Sequence, residues 1–210
     1  MLCKICKNKD LKELKFKESY YYCQKCDLIF LDEDQILKPE EEKRRYEQHD
    51  NSHKNKGYVK MFERFIEGVI EPYTKKIETV LDFGCGPGPV LADLLKEKGF
   101  TVDIYDPYYF PERIFRGKEY DLITSTEVFE HLTEPAKEIE MLIKHLKRNA
   151  YLAIMTLFHP GTDDFKDWQY KRDPTHITFY NSNTFQEIAR RYPLKIIFED
   201  GEKYCLFKKE

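Results

Sequence analysis

The sequence predicts an α/β fold: a doubly wound, mostly parallel sheet with its last strand antiparallel, preceded by a small cysteine-paired segment. Three observations carry this. From residue 77 onward, short apolar runs alternate with amphipathic ones. A glycine-rich turn joins the first such run to the helix after it. Near the end, Asp200-Gly201 separates two apolar runs, as a hairpin requires.

Each element has its own signal. Residues 1–38 contain strand-like runs at 19–22 and 28–31. Residues 39–76 read as a charge-rich helical connector that packs on the core. Pro39 suits a first helical position, and Glu40, Glu41 and Glu42 follow where the helix dipole favours acid. A break near Asp50, Asn51 and Ser52 precedes a second helix, in which Tyr58, Met61, Phe62, Phe65, Ile66, Val69 and Ile70 recur at helical spacing, with Pro72 near its end. In 77–210 a buried strand at 79–83 leads through the glycine turn to a helix at 89–98, ended by Gly99. Further strands are expected at 100–105, 121–125 and 151–155. The helix between the last two runs to about Leu146, broken or restarted at Pro135. A long aromatic loop follows, then a helix to Arg191 and strands at 194–198 and 204–207.

A chain of 210 residues builds one core and a small appendage. With 35 basic against 38 acidic residues, net −3, it lacks the basic coat of a nucleic-acid-gripping surface. No apolar run reaches bilayer length, and the start Met1-Leu2-Cys3-Lys4 has no signal-like apolar region. A soluble, cytoplasmic protein without a membrane partner is the expectation.

Cys3-x2-Cys6, sixteen residues, then Cys23-x2-Cys26 is the spacing at which two thiolate pairs meet one tetrahedral ion. Residues 1–38 therefore read as a zinc ribbon, with a structural Zn2+ replacing a core too short to form. Seven lysines against four acids between Lys4 and Asp27 make a thin basic excess, as a solvated face would.

Asp82-Phe83-Gly84-Cys85-Gly86-Pro87-Gly88 places glycines where the backbone must turn sharply and approach a ligand at a helix N-terminus. Asp82 before the loop repels a pyrophosphate and suits an ammonium group. Asp106, 24 residues on at the end of the next strand, can take both hydroxyls of a ribose. Residues 77–210 resemble class I S-adenosylmethionine-dependent methyltransferases. Leu81 through Gly88 is similar to that family's first motif, Asp106 to its ribose acid, and Tyr120 through Leu132 to its fourth-strand motif. The resemblance implies a Rossmann-like methyltransferase sheet of seven strands with the last antiparallel, and S-adenosyl-L-methionine bound through Asp82, Gly84, Cys85, Gly86, Gly88, Asp106 and Glu127. The chain departs from that pattern in leaving little room for a third strand between Asp106 and Asp121. It also has Arg148-Asn149-Ala150 in place of Pro-Gly-Gly.

Glu127, Glu130 and His131 follow the fourth strand of this unit, at a spacing that would put all three on one helical face, and Asp173-Pro174-Thr175-His176 offers a second imidazole. His131 and His176 are the candidate catalytic bases. With Glu127 and Glu130 they also form a candidate site for a divalent ion, Mg2+ or Mn2+. This pattern is similar to ubiquinone-pathway O-methyltransferases and to plant-type small-RNA 2′-O-methyltransferases, whose matched positions serve a divalent metal. In the aromatic loop, Trp168 and Tyr170 could stack on a substrate ring and Arg172 hold an acid. The run 167–176 is similar to small zinc-ribbon-bearing methyltransferases. The expected activity is methylation of a small molecule, on oxygen. The alternative is an RNA methyltransferase whose ribbon docks the nucleic acid.

Overall fold

The computed structural model describes residues 1–47 and 51–210, so Asp50 of the expected break lies outside the described residues. Strands β1 (Leu11–Lys15), β2 (Ser19–Cys23) and β3 (Ile29–Leu31) form an antiparallel meander, followed by helices α1 (Pro39–Tyr46) and α2 (Lys56–Phe65). The α/β part runs β4 (Thr79–Phe83), α3 (Val90–Glu97), β5 (Thr101–Tyr105), β6 (Tyr120–Thr126), α4 (Pro135–Lys144) and β7 (Leu146–Met155). It continues through β8 (Thr178–Phe179), α5 (Ser182–Arg191), β9 (Leu194–Glu199) and β10 (Tyr204–Lys209).

The larger sheet has the order β5-β4-β6-β7-β10-β9. Its first four strands are parallel, and β10 runs antiparallel to both β7 and β9. This is the doubly wound sheet with an antiparallel last strand that the sequence predicts. The resemblance implied seven strands, whereas six form among the described residues. Between Asp106 and Tyr120 the chain makes one bridge, Asp106 to Phe110, and a series of turns. So short a stretch, interrupted by Pro107, Pro111 and Gly117, is too short for a parallel crossover and another strand.

Alternation along the strands separates two apolar faces. Val80, Leu122, Ala153 and Leu206 meet Phe62, Phe65, Ile66, Val69 and Ile70, the apolar row read from the sequence, together with Leu91 and Leu95 of α3. The row stays on the sheet beyond α2 because the helix widens by one residue, with Glu71 N–H donating to the Ile66 carbonyl at 2.9 Å. On the opposite face Leu81, Ile123, Leu152 and Phe207 meet Ile139, Leu142, Phe185 and Ile188 of α4 and α5.

The cysteine segment belongs to that second face. Cys3, Cys6, Cys23 and Cys26 are all buried, and their sulfurs lie within 4.8 Å of one another. Each pair sits on a knuckle: Lys7 and Asp27 adopt φ of 58°, and Cys6 N–H donates to Cys3 Sγ at 3.4 Å. Four converging thiols on two such knuckles can hold one tetrahedral ion. The knuckles are bolted to α5: Thr184 Oγ1 donates to the Cys26 carbonyl at 2.8 Å, and an Arg191 nitrogen to the Cys6 carbonyl at 3.2 Å. The ribbon sheet also captures a strand of the α/β part, since β3 pairs with β8 in the order β1-β2-β3-β8. Nothing in the sequence marked β8 inside a loop too polar to be a core strand. No helix among the described residues is long and apolar enough to cross a membrane.

Metal analysis of the purified protein is expected to return about one zinc per chain. Cys26→Ser should lose it and lower the melting temperature by several degrees or more. An unchanged melting temperature in Cys26→Ser would show that the thiols hold no structural ion.

Candidate active site

Four segments at the carboxyl edge of the sheet supply the site. The first is the end of β4. Asp82 is buried, accepts from Thr124 Oγ1 at 2.9 Å, and faces no cation in an ion pair among the described residues. Burial pushes its carboxyl up to about 7, and the charge of Asp106 adds to the effect. The glycine loop follows. Gly84 and Gly86 adopt φ of 83° and 66°, and a Cβ on Gly84 would stand 2.2 Å from Val128. A Cβ on Gly88 would stand 2.1 Å from the Asn51 carbonyl oxygen, so the connector lies directly over the loop.

At the end of β5, Asp106 accepts from Gly86 N–H at 3.0 Å through one oxygen and from the N–H groups of Tyr108 and Tyr109 through the other. It ties the glycine loop to the turn beyond β5. Cys85 is buried within the loop, and burial raises its thiol, which leaves it packed rather than reactive.

After β6 the structure corrects the sequence reading. Glu127, Glu130 and His131 do not share a helical face. Glu127 sits in the left-handed region at φ 54°, one short turn covers 129–131, and α4 starts only at Pro135. What brings the acids together is Tyr170, whose hydroxyl donates to Glu127 Oε2 at 3.0 Å and to Glu130 Oε1. Glu127 stays exposed, yet the protein crowding its carboxylate, and then the Glu130 charge, raise its pKa. Glu130 is fully buried, and its Oε2 has no hydrogen-bond partner among the described residues.

His131 Nδ1 meets the Thr175 carbonyl at 2.9 Å and His176 Nδ1 the Tyr170 carbonyl at 2.7 Å. A carbonyl only accepts, so each Nδ1 carries the proton and each Nε2 presents a lone pair. One ligand atom from each of Glu130, His131 and His176 lies within 4.8 Å of the others. Glu127, expected among the metal ligands, is not in that cluster. Burial holds the His176 imidazole below its usual pKa, which favours the neutral form a ligand or base requires.

The three candidate substrate residues separate. Tyr170 turns inward to the acids. Trp168 packs on Phe165 and Phe179 at ring separations of 5.9 and 5.7 Å, and Arg172 is exposed. A cavity of about 450 Å³ lies beside them, walled by Leu157, Phe158, Pro160, Trp168 and Glu202. Sequence reasoning expected the helix that starts at Pro39 but not its place across the cleft. Arg45 pairs with Asp173 at 3.1 Å, and the Tyr46 ring stands edge-on to His131 at 5.1 Å. A helix with no buried residue reads as solvated, and nothing in its charge pattern marks an inward face.

A buried acid without its cation, a cradle of glycines and a carboxylate at the second strand define an S-adenosylmethionine-binding transferase. Residues 45–198 match the family model described as "Methyltransferase domain". The chain belongs to that family and is a class I S-adenosylmethionine-dependent methyltransferase. Among solved structures it is similar to a protein from Pyrococcus horikoshii OT3, at 13% identity over 80% of this chain and 99% of that one, with a TM-score of 0.54. It is also similar to a SAM-dependent methyltransferase from Archaeoglobus fulgidus, at 19% identity over 72% and 92%, TM-score 0.53. It spans 55% of an O-methyltransferase family protein from Burkholderia thailandensis, which covers 72% of this chain at 14% identity and a TM-score of 0.47. These identities speak to fold alone. No match was found among curated proteins.

The raised Asp82 carboxyl sets a sign. The unfolded chain ionises near the ordinary 3.8 and the folded one near 7, so cofactor-free stability falls as pH rises across that window. Asp82→Asn is therefore expected to melt higher than wild type at pH 8 without cofactor, while losing calorimetric binding of S-adenosylhomocysteine. Equal melting temperatures at pH 8 would contradict this account.

Proposed function

We propose that the chain methylates an oxygen of a small molecule, and that Glu130, His131 and His176 hold a divalent ion beside the transferred methyl. The observation that carries this is the cluster of one ligand atom each from Glu130, His131 and His176 within 4.8 Å, with His131 Nε2 3.9 Å from Glu130 Oε1 and the other Glu130 oxygen buried without a partner among the described residues. A lone imidazole base would leave Glu130 Oε2 buried and unsatisfied, at a cost of about 1–3 kcal/mol. Both rings are oriented by backbone carbonyls on Nδ1, the outer support that metal-bound histidines ordinarily have. Two imidazoles and one carboxylate suit Mn2+ or another first-row ion better than Mg2+, which prefers oxygen ligands.

In this reading Asp82 holds the ammonium of the donor's methionine end, the glycine loop admits its backbone, and Asp106 takes the ribose. The bound donor supplies a methyl group on a sulfonium. The ion would lower the pKa of the acceptor hydroxyl, and the histidines keep it placed while Tyr170 fixes Glu130. The rest of the acceptor extends toward the mixed polar and apolar cavity beside Trp168. A net charge of −3 and a ribbon whose second knuckle is taken up by α5 favour a small acceptor over RNA.

Calorimetry after chelation is expected to show one Mn2+ site per chain, absent in His131→Ala and His176→Ala. Methyl transfer should fall on the order of a hundredfold or more in both variants and after chelation, and return with Mn2+. Unchanged transfer after complete chelation would overturn the metal reading.

A further inference from the structure

The nucleoside end of the cofactor cleft is walled by an unexpected element. Among the described residues no strand lies beyond β5 on that side, and the turn after Asp106 instead presents Tyr108 toward α1. There the Glu42 carboxylate receives two hydroxyls, Tyr108 at 2.5 Å and Tyr46 at 2.7 Å. The Tyr108 and Tyr46 rings are 5.7 Å apart, and Tyr46 in turn reaches His131. These side chains form a line along the carboxyl edge, from the end of β5 to the end of β6. Beside it, the Tyr109 hydroxyl is buried without a partner among the described residues.

α1 buries no residue fully, and its contacts with the body of the protein are made by a few half-buried side chains. Its docking rests on the inward groups Glu42, Arg45 and Tyr46, all at the cleft. A helix held this way is placed for what lies beneath it. A carboxylate only accepts, and in adenine joined to ribose the N–H donors are those of the exocyclic amine. Aromatic rings on either side of the acceptor complete a site for a planar heterocycle.

We propose that α1 completes the cofactor site, with Glu42 accepting from the exocyclic amine of the adenine and Tyr108 lying against its ring. This rests on the methyltransferase reading and assigns to α1 the wall that an additional strand would otherwise form. The Tyr108 and Tyr46 hydroxyls keep the Glu42 carboxylate aimed, and Asp106 fixes the turn that carries Tyr108.

The test is calorimetric binding of two ligands by the full chain, S-adenosylhomocysteine and S-inosylhomocysteine. The second puts an oxygen acceptor where the amine was. Wild type should prefer the adenine compound by about tenfold or more, the worth of a hydrogen bond to a charged group. Glu42→Gln should bring that preference close to unity, because an amide can face either group. Tyr108→Ala should weaken both ligands and, by loosening Glu42, narrow the preference between them. Circular dichroism confirms folding, and Glu42→Ala serves as a second variant should Glu42→Gln misfold. An unchanged preference in a folded Glu42 variant overturns the proposal. Failure of wild type to bind either compound would instead sink the parent reading.

Discussion

One residue, Ile177, bonds through its backbone to both the ribbon sheet and the acid cluster. Its carbonyl accepts from Leu31 N–H at 2.8 Å, and its N–H donates to the Glu130 carbonyl at 2.8 Å. On one side is the ribbon sheet and on the other the acid of the Glu130, His131 and His176 cluster. His176 precedes it and carries the second imidazole. Thr178 follows and anchors to the Leu132 carbonyl at 2.8 Å. The distance between the two imidazoles is therefore set by the register of a two-residue strand on the ribbon. A cysteine segment tied to α5 at its knuckles and to Glu130 through β8 is part of the frame of the site.

The polar groups of the cleft are arranged against the stability of the empty protein. Asp82 is buried with a hydroxyl for company and no cation, and Glu130 is buried with one oxygen unmatched. Glu127 is held at a positive φ, where a side chain with a Cβ is strained. Each feature is unfavourable by itself. Packing elsewhere must offset this, and the two apolar faces of the sheet, with Phe65, Phe129, Phe185 and Phe207 fully buried, are where it does.

What was legible in the sequence was what local chemistry decides. The β4–loop–α3 unit followed from an apolar pair, three glycines and an acid, and the closing hairpin from Asp200-Gly201. The Glu-His cluster was legible in composition and not in shape. Helical spacing joined Glu127 to Glu130 and His131, but a left-handed residue and Pro135 break that helix, and Tyr170 restores the contact from forty residues away. Tyr170 itself looked like a substrate platform because a sequence does not reveal which way a loop side chain turns. β8 was too short to show any period, and α1, expected as a helix from Pro39, showed no inward face because it buries no residue.

The docking of the ribbon also orders events in time. The bond between Thr184 and Cys26 spans 158 residues, and that between Asn183 and Asp27 spans 156. During synthesis the amino-terminal thiols thus emerge long before the helix and strand that bury them. Until then they stand open to solvent, metals and oxidants, since long loops close late. Early capture of an ion would keep them paired with each other while the chain waits for α5.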